Sequence, residues 1–157
     1  GVGNLIRWDV ERLSELSLEG PIEVIVLGEI LEHLANPGLC LRGLASHMAA
    51  FNAACLITVP NAFSVRHFYS VALTQTELVW PDHTAYYSIT TLSSLLDRYG
   101  LAVREMYMYS NVNTVESWMK RWAKICFNRT VLAVAPWIAE GIIAVVGRKL
   151  PAPARSG

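Results

Sequence analysis

A chain of 157 residues is long enough to form one domain with a real core. Thirteen Lys and Arg balance thirteen Asp and Glu, so the basic excess that a nucleic-acid footprint needs is absent. Hydrophobic residues make up 53% and charged residues only 17%, a balance that suits a sheet buried on both faces.

Residues 4–7 are β-compatible and lead into Asp9, Val10 and Glu11. Residues 13–20 read as loop, punctuated by Gly20-Pro21. Residues 22–27 are a near-continuous apolar run rich in β-branched side chains, which predicts a central parallel strand. That run ends on Gly28 and Glu29, and residues 29–34 predict a first helical turn or a loop. Asn36-Pro37-Gly38 stops this piece and starts a helix to about residue 50, with Leu39, Leu41, Leu44, Ala45 and Met48 as its stripe. Residues 54–59 predict the next buried strand, closed by Pro60-Asn61.

Residues 62–83 are irregular apart from a predicted helix over 65–73. Ser88 or Thr90 caps a helix through Leu92, Leu95, Leu96 and Tyr99, with Gly100 at its end. Residues 103–109 alternate as a strand. Val115, Trp118, Met119, Trp122, Ile125 and Cys126 recur at helical spacing, and residues 141–147 form a last strand. The tail 150–157 is rich in Pro, Ala and Gly and is expected to be disordered. The apolar stretch 130–146 is broken by Pro136, Glu140 and Gly141, and neither half has the length of a bilayer span. No basic-then-apolar leader is visible. Cys40, Cys55 and Cys126 are isolated within apolar runs and are expected to be buried, reduced thiols, which favours a cytoplasmic setting.

Alternating strands and helices predict an α/β sheet, whose ligands lie outside the carboxyl ends of the strands. Residues 9–11, 28–32 and 60–63 hold those positions. Glu29, Glu32 and His33 form E-x-x-E-H and invite a metal reading. Inverted zinc peptidases need His where Glu29 stands, and no third soft ligand follows at useful spacing, so no metal is expected. Glu32 and His33 are expected instead to bond neighbouring backbone and hold the loop. Asp82-His83 is the candidate for proton transfer, because a neutral imidazole has its pKa near working pH; a solvated or capping loop histidine is the plainer alternative. Phe63, Phe68, Tyr69, Trp80, Tyr86 and Tyr87 either line an apolar acceptor pocket or simply pack. Lys120, Arg121, Lys124 and Arg129, with Trp118 and Trp122, suit peripheral membrane contact or an amphipathic lid.

With its strands placed, the chain resembles the class I S-adenosylmethionine-dependent methyltransferases, in particular the small-molecule group with a strand followed by E-x-L-E-H. Val24-Ile-Val-Leu-Gly-Glu-Ile-Leu-Glu-His-Leu34 resembles the family's fourth strand and its motif. Leu56-Ile-Thr-Val-Pro-Asn61 resembles the fifth strand and its exit, and Thr91-Leu-Ser-Ser-Leu-Leu-Asp-Arg-Tyr-Gly-Leu101 the late helix. Trp8-Asp-Val-Glu11 is similar to the acidic segment after the third strand, and residues 141–149 to the last antiparallel strand.

This resemblance implies a partial Rossmann-like, doubly wound α/β sheet over residues 1–149, mostly parallel with a final antiparallel strand, and a helical insert or lid at 114–138. It implies S-adenosylmethionine as cofactor, held by Asp9, Val10, Gly28 and Glu29. Asp9 would accept from the adenine amino group, and Gly28 would let the cofactor approach the backbone. It implies a small or lipid-linked acceptor near Asn61, Tyr86 and Tyr87, with His83 as base. The family's first strand, glycine-rich loop and ribose-binding acid have no counterpart in these residues; Gly1-Val-Gly3 follows no strand, and Asp9 comes too soon after it. The resemblance therefore implies an amino-terminally truncated domain with little affinity for the cofactor. The residues themselves leave open a non-catalytic α/β remnant or binding module, a membrane-peripheral protein and a metal hydrolase.

Overall fold

The computed structural model describes residues 5–77, 80–110 and 118–149. Among these residues one sheet holds β1 (Val24–Gly28), β2 (Ala54–Pro60), β3 (Leu101–Tyr109) and β4 (Gly141–Arg148), in the order β1-β2-β4-β3. Strands β1 and β2 are parallel, with Val24 opposite Ala54 and Gly28 opposite Thr58. Strand β4 runs antiparallel to both β2 and β3. Three strands thus point one way and the last one inserts against them, as the sequence predicts.

The helices are α1 (Pro37–Phe51), α2 (Val65–Thr74), α3 (Ile89–Arg98) and α4 (Trp118–Val134). Pro37 starts α1 where a missing N–H costs nothing, and Asn52 ends it in the left-handed conformation at φ 54°. Ser88 caps α3 by accepting from the N–H of Thr91, whose hydroxyl accepts from Ser88 N–H in return. Gly100, at φ 72°, turns the chain from α3 into β3.

One face of the sheet is fully buried. Leu27, Cys55, Ile57, Val59, Ile142, Ala144 and Val146 pack there against Leu41, Leu44 and Met48 of α1 and Leu92 and Leu96 of α3. The opposite face is only partly covered, which corrects the expectation of a sheet buried on both sides. The predicted central strand is also corrected: among the described residues β1 lies at the edge of the sheet, and Val24 and Val26 are 57% and 59% exposed. Residues 5–9 form no strand; Leu5 and Ile6 stand in solvent with no ladder to join. Cys40 and Cys55 are buried free thiols, with burial first among the causes that push them up to about 11 and about 12, whereas Cys126 is exposed. No helix among the described residues is long and apolar enough to cross a membrane. The proposed tail at 150–157 lies outside the described residues.

A 3-10 turn, Val10–Glu15, sits across α1. It is tied there by His47 Nε2, 2.9 Å from the carbonyl oxygen of Leu13, and by the N–H of Asn36, which donates to Glu11 Oε1 at 2.7 Å. Gly43 makes the approach possible, since a Cβ at this position would lie 2.6 Å from the backbone N of Ser14 and 2.9 Å from the carbonyl carbon of Leu13. Backbone cannot swing aside as a side chain can. Gly43→Ala is therefore expected to destabilise the domain by about 1–3 kcal/mol in chemical denaturation and to release the turn, read as a shift in Trp8 fluorescence.

Candidate functional site

The parallel pair β1–β2 delivers two chain exits side by side. At the first, Gly28 leads into Glu29, which adopts a left-handed backbone at φ 51°. A non-glycine residue pays for that conformation. It is held there because its N–H donates to both the carbonyl oxygen and the hydroxyl of Thr58 on β2, each at 3.0 Å. The turn points the Glu29 carboxylate across the sheet end, where Oε1 accepts from the Tyr109 hydroxyl at 2.8 Å. Tyr109 pairs with Gly141 in the β3–β4 ladder, and a Cβ on Gly141 would lie 2.2 Å from the tyrosine ring. A strand glycine here makes room for an aromatic ring over the sheet end.

Beyond Glu29, the short 3-10 turn Leu31–His33 is clasped to the loop that precedes α3. The carbonyl of Glu32 accepts from Thr84 N at 2.7 Å, Ala85 N at 3.3 Å and Thr84 Oγ1 at 3.0 Å. The Thr84 hydroxyl also reaches the carbonyl of Leu34 at 2.7 Å, and the Tyr87 hydroxyl donates to that of Leu31 at 3.3 Å. His33 Nδ1 lies 3.2 Å from the Asp82 carbonyl oxygen. The expectation that Glu32 and His33 hold a loop is met by the Glu32 backbone and the His33 ring, not by the Glu32 side chain.

The clasp closes one wall of a cavity of about 590 Å³, within the range of small-molecule sites. Glu29, His33, Asp82, His83, Tyr86 and Tyr109 line it, together with Pro60, Ser64, Arg66, His67, Trp80 and Glu140. Its electrostatics are unusual. Burial pushes the Glu32 carboxyl up to about 7, with the Glu29 carboxylate adding to the rise and His33 opposing it. Burial, and then neighbouring His33, pull the His83 imidazole below its ordinary value, which favours its neutral form. His67 is lowered by burial and by Arg66. The Tyr109 phenol is raised by burial and by its bond to Glu29.

The structure sorts the residues that the sequence singles out. His83, Tyr86 and Glu29 meet in the cavity, with His83 and Tyr86 ring centroids 5.6 Å apart. Gly28 ends β1 in the open; a Cβ there would meet nothing closer than Thr58 Oγ1 at 3.8 Å. No protein atom requires this glycine, and the free space is at the mouth of the strand. Asp9 is exposed and caps the turn behind it, accepting from the N–H of Glu11 at 3.0 Å, while Val10 packs against the edge of the core.

Two residues are corrected. Asn61 is 1% exposed, and its side chain is committed to protein. Its Nδ2 donates to the carbonyls of Trp137 and Ala139, both at 2.8 Å, and its Oδ1 accepts from Phe63 N at 3.0 Å. Tyr87 is 6% exposed and belongs to the core. Neither can touch an acceptor in this arrangement. Phe63, Phe68, Tyr69 and Trp80 are exposed, and of these only Trp80 lines the cavity. Tyr109, Thr84, Arg66 and His67 were not legible as site residues. The glycine that opens β4 was the available sign for Tyr109.

A family profile described as a methyltransferase domain matches residues 5–106. The chain belongs to the methyltransferase-domain family. No curated protein sequence matches it. Among solved structures, a SAM-dependent methyltransferase from Archaeoglobus fulgidus is similar at a TM-score of 0.50 and 14% identity, over 93% of this chain and 67% of that one. The mitomycin 7-O-methyltransferase MmcR is similar at a TM-score of 0.50 and 14% identity, over 87% of this chain but 32% of its own. At such identity the likeness concerns the fold. The methyltransferase domain thus spans about two thirds of the first relative and about one third of the second.

In this methyltransferase domain Asn61 ties the exit of β2 to the turn before β4. Asn61→Ala is expected to lower stability by about 2–4 kcal/mol in urea denaturation, because the buried carbonyl of Ala139, the half-buried carbonyl of Trp137 and the N–H of Phe63 lose their partner. Unchanged stability would remove Asn61 from the wall and return it to the acceptor.

Proposed function

We propose that these residues form the acceptor side and one cofactor edge of an S-adenosylmethionine-dependent methyltransferase of the small-molecule E-x-L-E-H type, acting on a small or lipid-linked acceptor. The observation that carries this reading is the cavity at the carboxyl ends of two parallel strands, in a chain of the methyltransferase-domain family. Ligands of open α/β sheets occupy that position.

The residues present fit part of the cofactor. Gly28 leaves a side-chain-sized space open at the strand mouth, and the strained Glu29 turn presents its carboxylate beside it. Asp9 and Val10 would supply the outer edge. Among the described residues no strand leads into a glycine-rich loop, so the contacts such a loop provides are not supplied by them. Exposed Trp122 on α4 supports the lipid-linked form of the acceptor; the Trp118 side chain lies outside the described residues.

When bound, the cofactor supplies an electrophilic methyl group on a sulfonium. The chain's own task is placement: an in-line displacement gains most from proximity and alignment. Tyr86 and Trp80 would flank an acceptor, the Glu32–Thr84 clasp fixes their loop, and half-buried His83 would take the proton lost by an acceptor hydroxyl.

The test is an amide-resolved NMR titration with S-adenosylhomocysteine. Two or three missing charge-assisted contacts, at about 1.5–3 kcal/mol each, put the expected Kd of these 157 residues at roughly 1 mM or weaker. Shifts are expected at Val10, Gly28 and Glu29, saturating only toward the millimolar range. Micromolar saturation would contradict the incomplete-pocket reading. Shifts that leave those three amides untouched would remove them from the cofactor edge.

A further inference from the structure

Glu32 is the one charged side chain among the described residues that is fully buried: it is 0% exposed, and neither of its carboxylate oxygens has a hydrogen-bond partner among them. A buried carboxylate is costly unless something pairs with it. Its charged neighbours are the Glu29 carboxylate, which repels it, and His33, whose Nε2 stands 4.0 Å from Oε1, too far for a hydrogen bond. The His83 ring meets the His33 ring edge-on at a centroid distance of 4.6 Å, and buried His83 Nδ1 also lacks a partner among the described residues. One potential ligand atom from each of Glu32, His33 and His83 lies within 4.8 Å of the other two. Three groups that want a cation or a proton thus share one small volume in the cavity wall.

We propose that Glu32, His33 and His83 form a binding site for a divalent first-row transition-metal ion, Zn²⁺ or Mn²⁺. Ligand atoms sit about 2.0–2.2 Å from such an ion, hence roughly 3–4 Å from one another, so the three atoms, now within 4.8 Å, would close to that spacing on binding. His33 is already oriented for the task. Its Nδ1 faces the Asp82 carbonyl oxygen at 3.2 Å; donation there fixes the tautomer and leaves the Nε2 lone pair for the ion, the usual outer-shell arrangement of a ligating histidine. Two imidazoles with one carboxylate favour a transition metal over Mg²⁺ or Ca²⁺, which prefer oxygen throughout.

The sequence spacing hides this set, because His83 arrives from the far side of the clasp. Three protein ligands leave coordination positions open toward the cavity. A hydroxyl-bearing acceptor binding there would ionise more readily, its proton passing to solvent, and His83 would then hold the ion rather than take the proton. That consequence rests on the methyl-transfer reading; the metal site itself does not.

The untagged protein, stripped with chelator, is titrated calorimetrically with ZnCl₂, MnCl₂ and MgCl₂ in separate runs. One Zn²⁺ per chain at micromolar Kd or tighter is expected, with Mn²⁺ weaker and Mg²⁺ weakest. Glu32→Gln keeps the shape and is expected to weaken Zn²⁺ binding by roughly 100-fold, while the metal-free variant resists denaturant at least as well as the parent, since an unpaired buried charge is gone. His33→Ala and His83→Ala are each expected to lose binding, and His47→Ala, on α1 and outside the cavity, to keep it. Absence of Zn²⁺ binding to the parent protein, unchanged affinity in Glu32→Gln, loss in His47→Ala, or Mg²⁺ binding tighter than Zn²⁺ would overturn the proposal. No cofactor enters this titration and no metal enters the S-adenosylhomocysteine titration, so either reading can fail without the other.

Discussion

The Glu32 carbonyl, with three donors from Thr84 and Ala85 converging on it, is the contact on which the site depends. Strand β1 ends in a short turn, and a short turn has too few internal hydrogen bonds to fix its own position. The loop before α3 has the same difficulty. Each supplies what the other lacks: the turn offers the carbonyls of Leu31, Glu32 and Leu34, and the loop offers the N–H and hydroxyl groups of Thr84, Ala85 and Tyr87. Satisfying those groups mutually is what lets Leu31, Glu32 and Tyr87 leave water. The cavity, the His33–His83 contact and the burial of Glu32 all follow from that closure.

The same closure concentrates unfavourable terms in one place. Glu29 sits at positive φ, the Glu32 carboxylate is buried without a hydrogen bond among the described residues, and a half-buried imidazole faces another. Stability alone would select a glycine at the first position and an amide or apolar side chain at the second. Local rules broken together, in a region otherwise well bonded, are characteristic of a site that binds something. The surrounding core is conventional: alternate residues of β2 and β4 pack against the apolar stripes of α1 and α3.

Much of that conventional part was legible in the sequence, and the reasons are local. The Pro37 start and the i, i+3, i+4 stripe define α1; the Ser88 cap and Gly100 define α3; continuous β-branched runs define β2 and β4. Strand β1 was read as central because Val24 and Val26 are as apolar as a two-sided strand requires, yet apolarity does not show which neighbours are present. The site was legible at Gly28 and Glu29, which follow a strand, and at Trp80, Asp82, His83 and Tyr86, where one loop gathers aromatic and imidazole side chains. Asn61 and Tyr87 look like acceptor contacts because polar and aromatic groups at strand exits often are; their burial comes from partners at Trp137, Ala139 and Leu31 that no local pattern announces. His83 joins Glu32 and His33 only through the Thr84 clasp, a long-range bond with no periodicity of its own.

A methyltransferase domain with an ion-binding wall would bring acceptor, ion and methyl group into one volume, and that convergence is directly measurable. Mn²⁺ is paramagnetic, and a weakly bound, fast-exchanging ligand reports its proximity through relaxation. The S-methyl protons of S-adenosylmethionine, in excess over the protein with substoichiometric Mn²⁺, should relax markedly faster than its remote ribose protons, and the enhancement should vanish with Glu32→Gln. Equal relaxation of all its protons, unaffected by that substitution, would show that ion and methyl group do not share the cavity at the ends of β1 and β2.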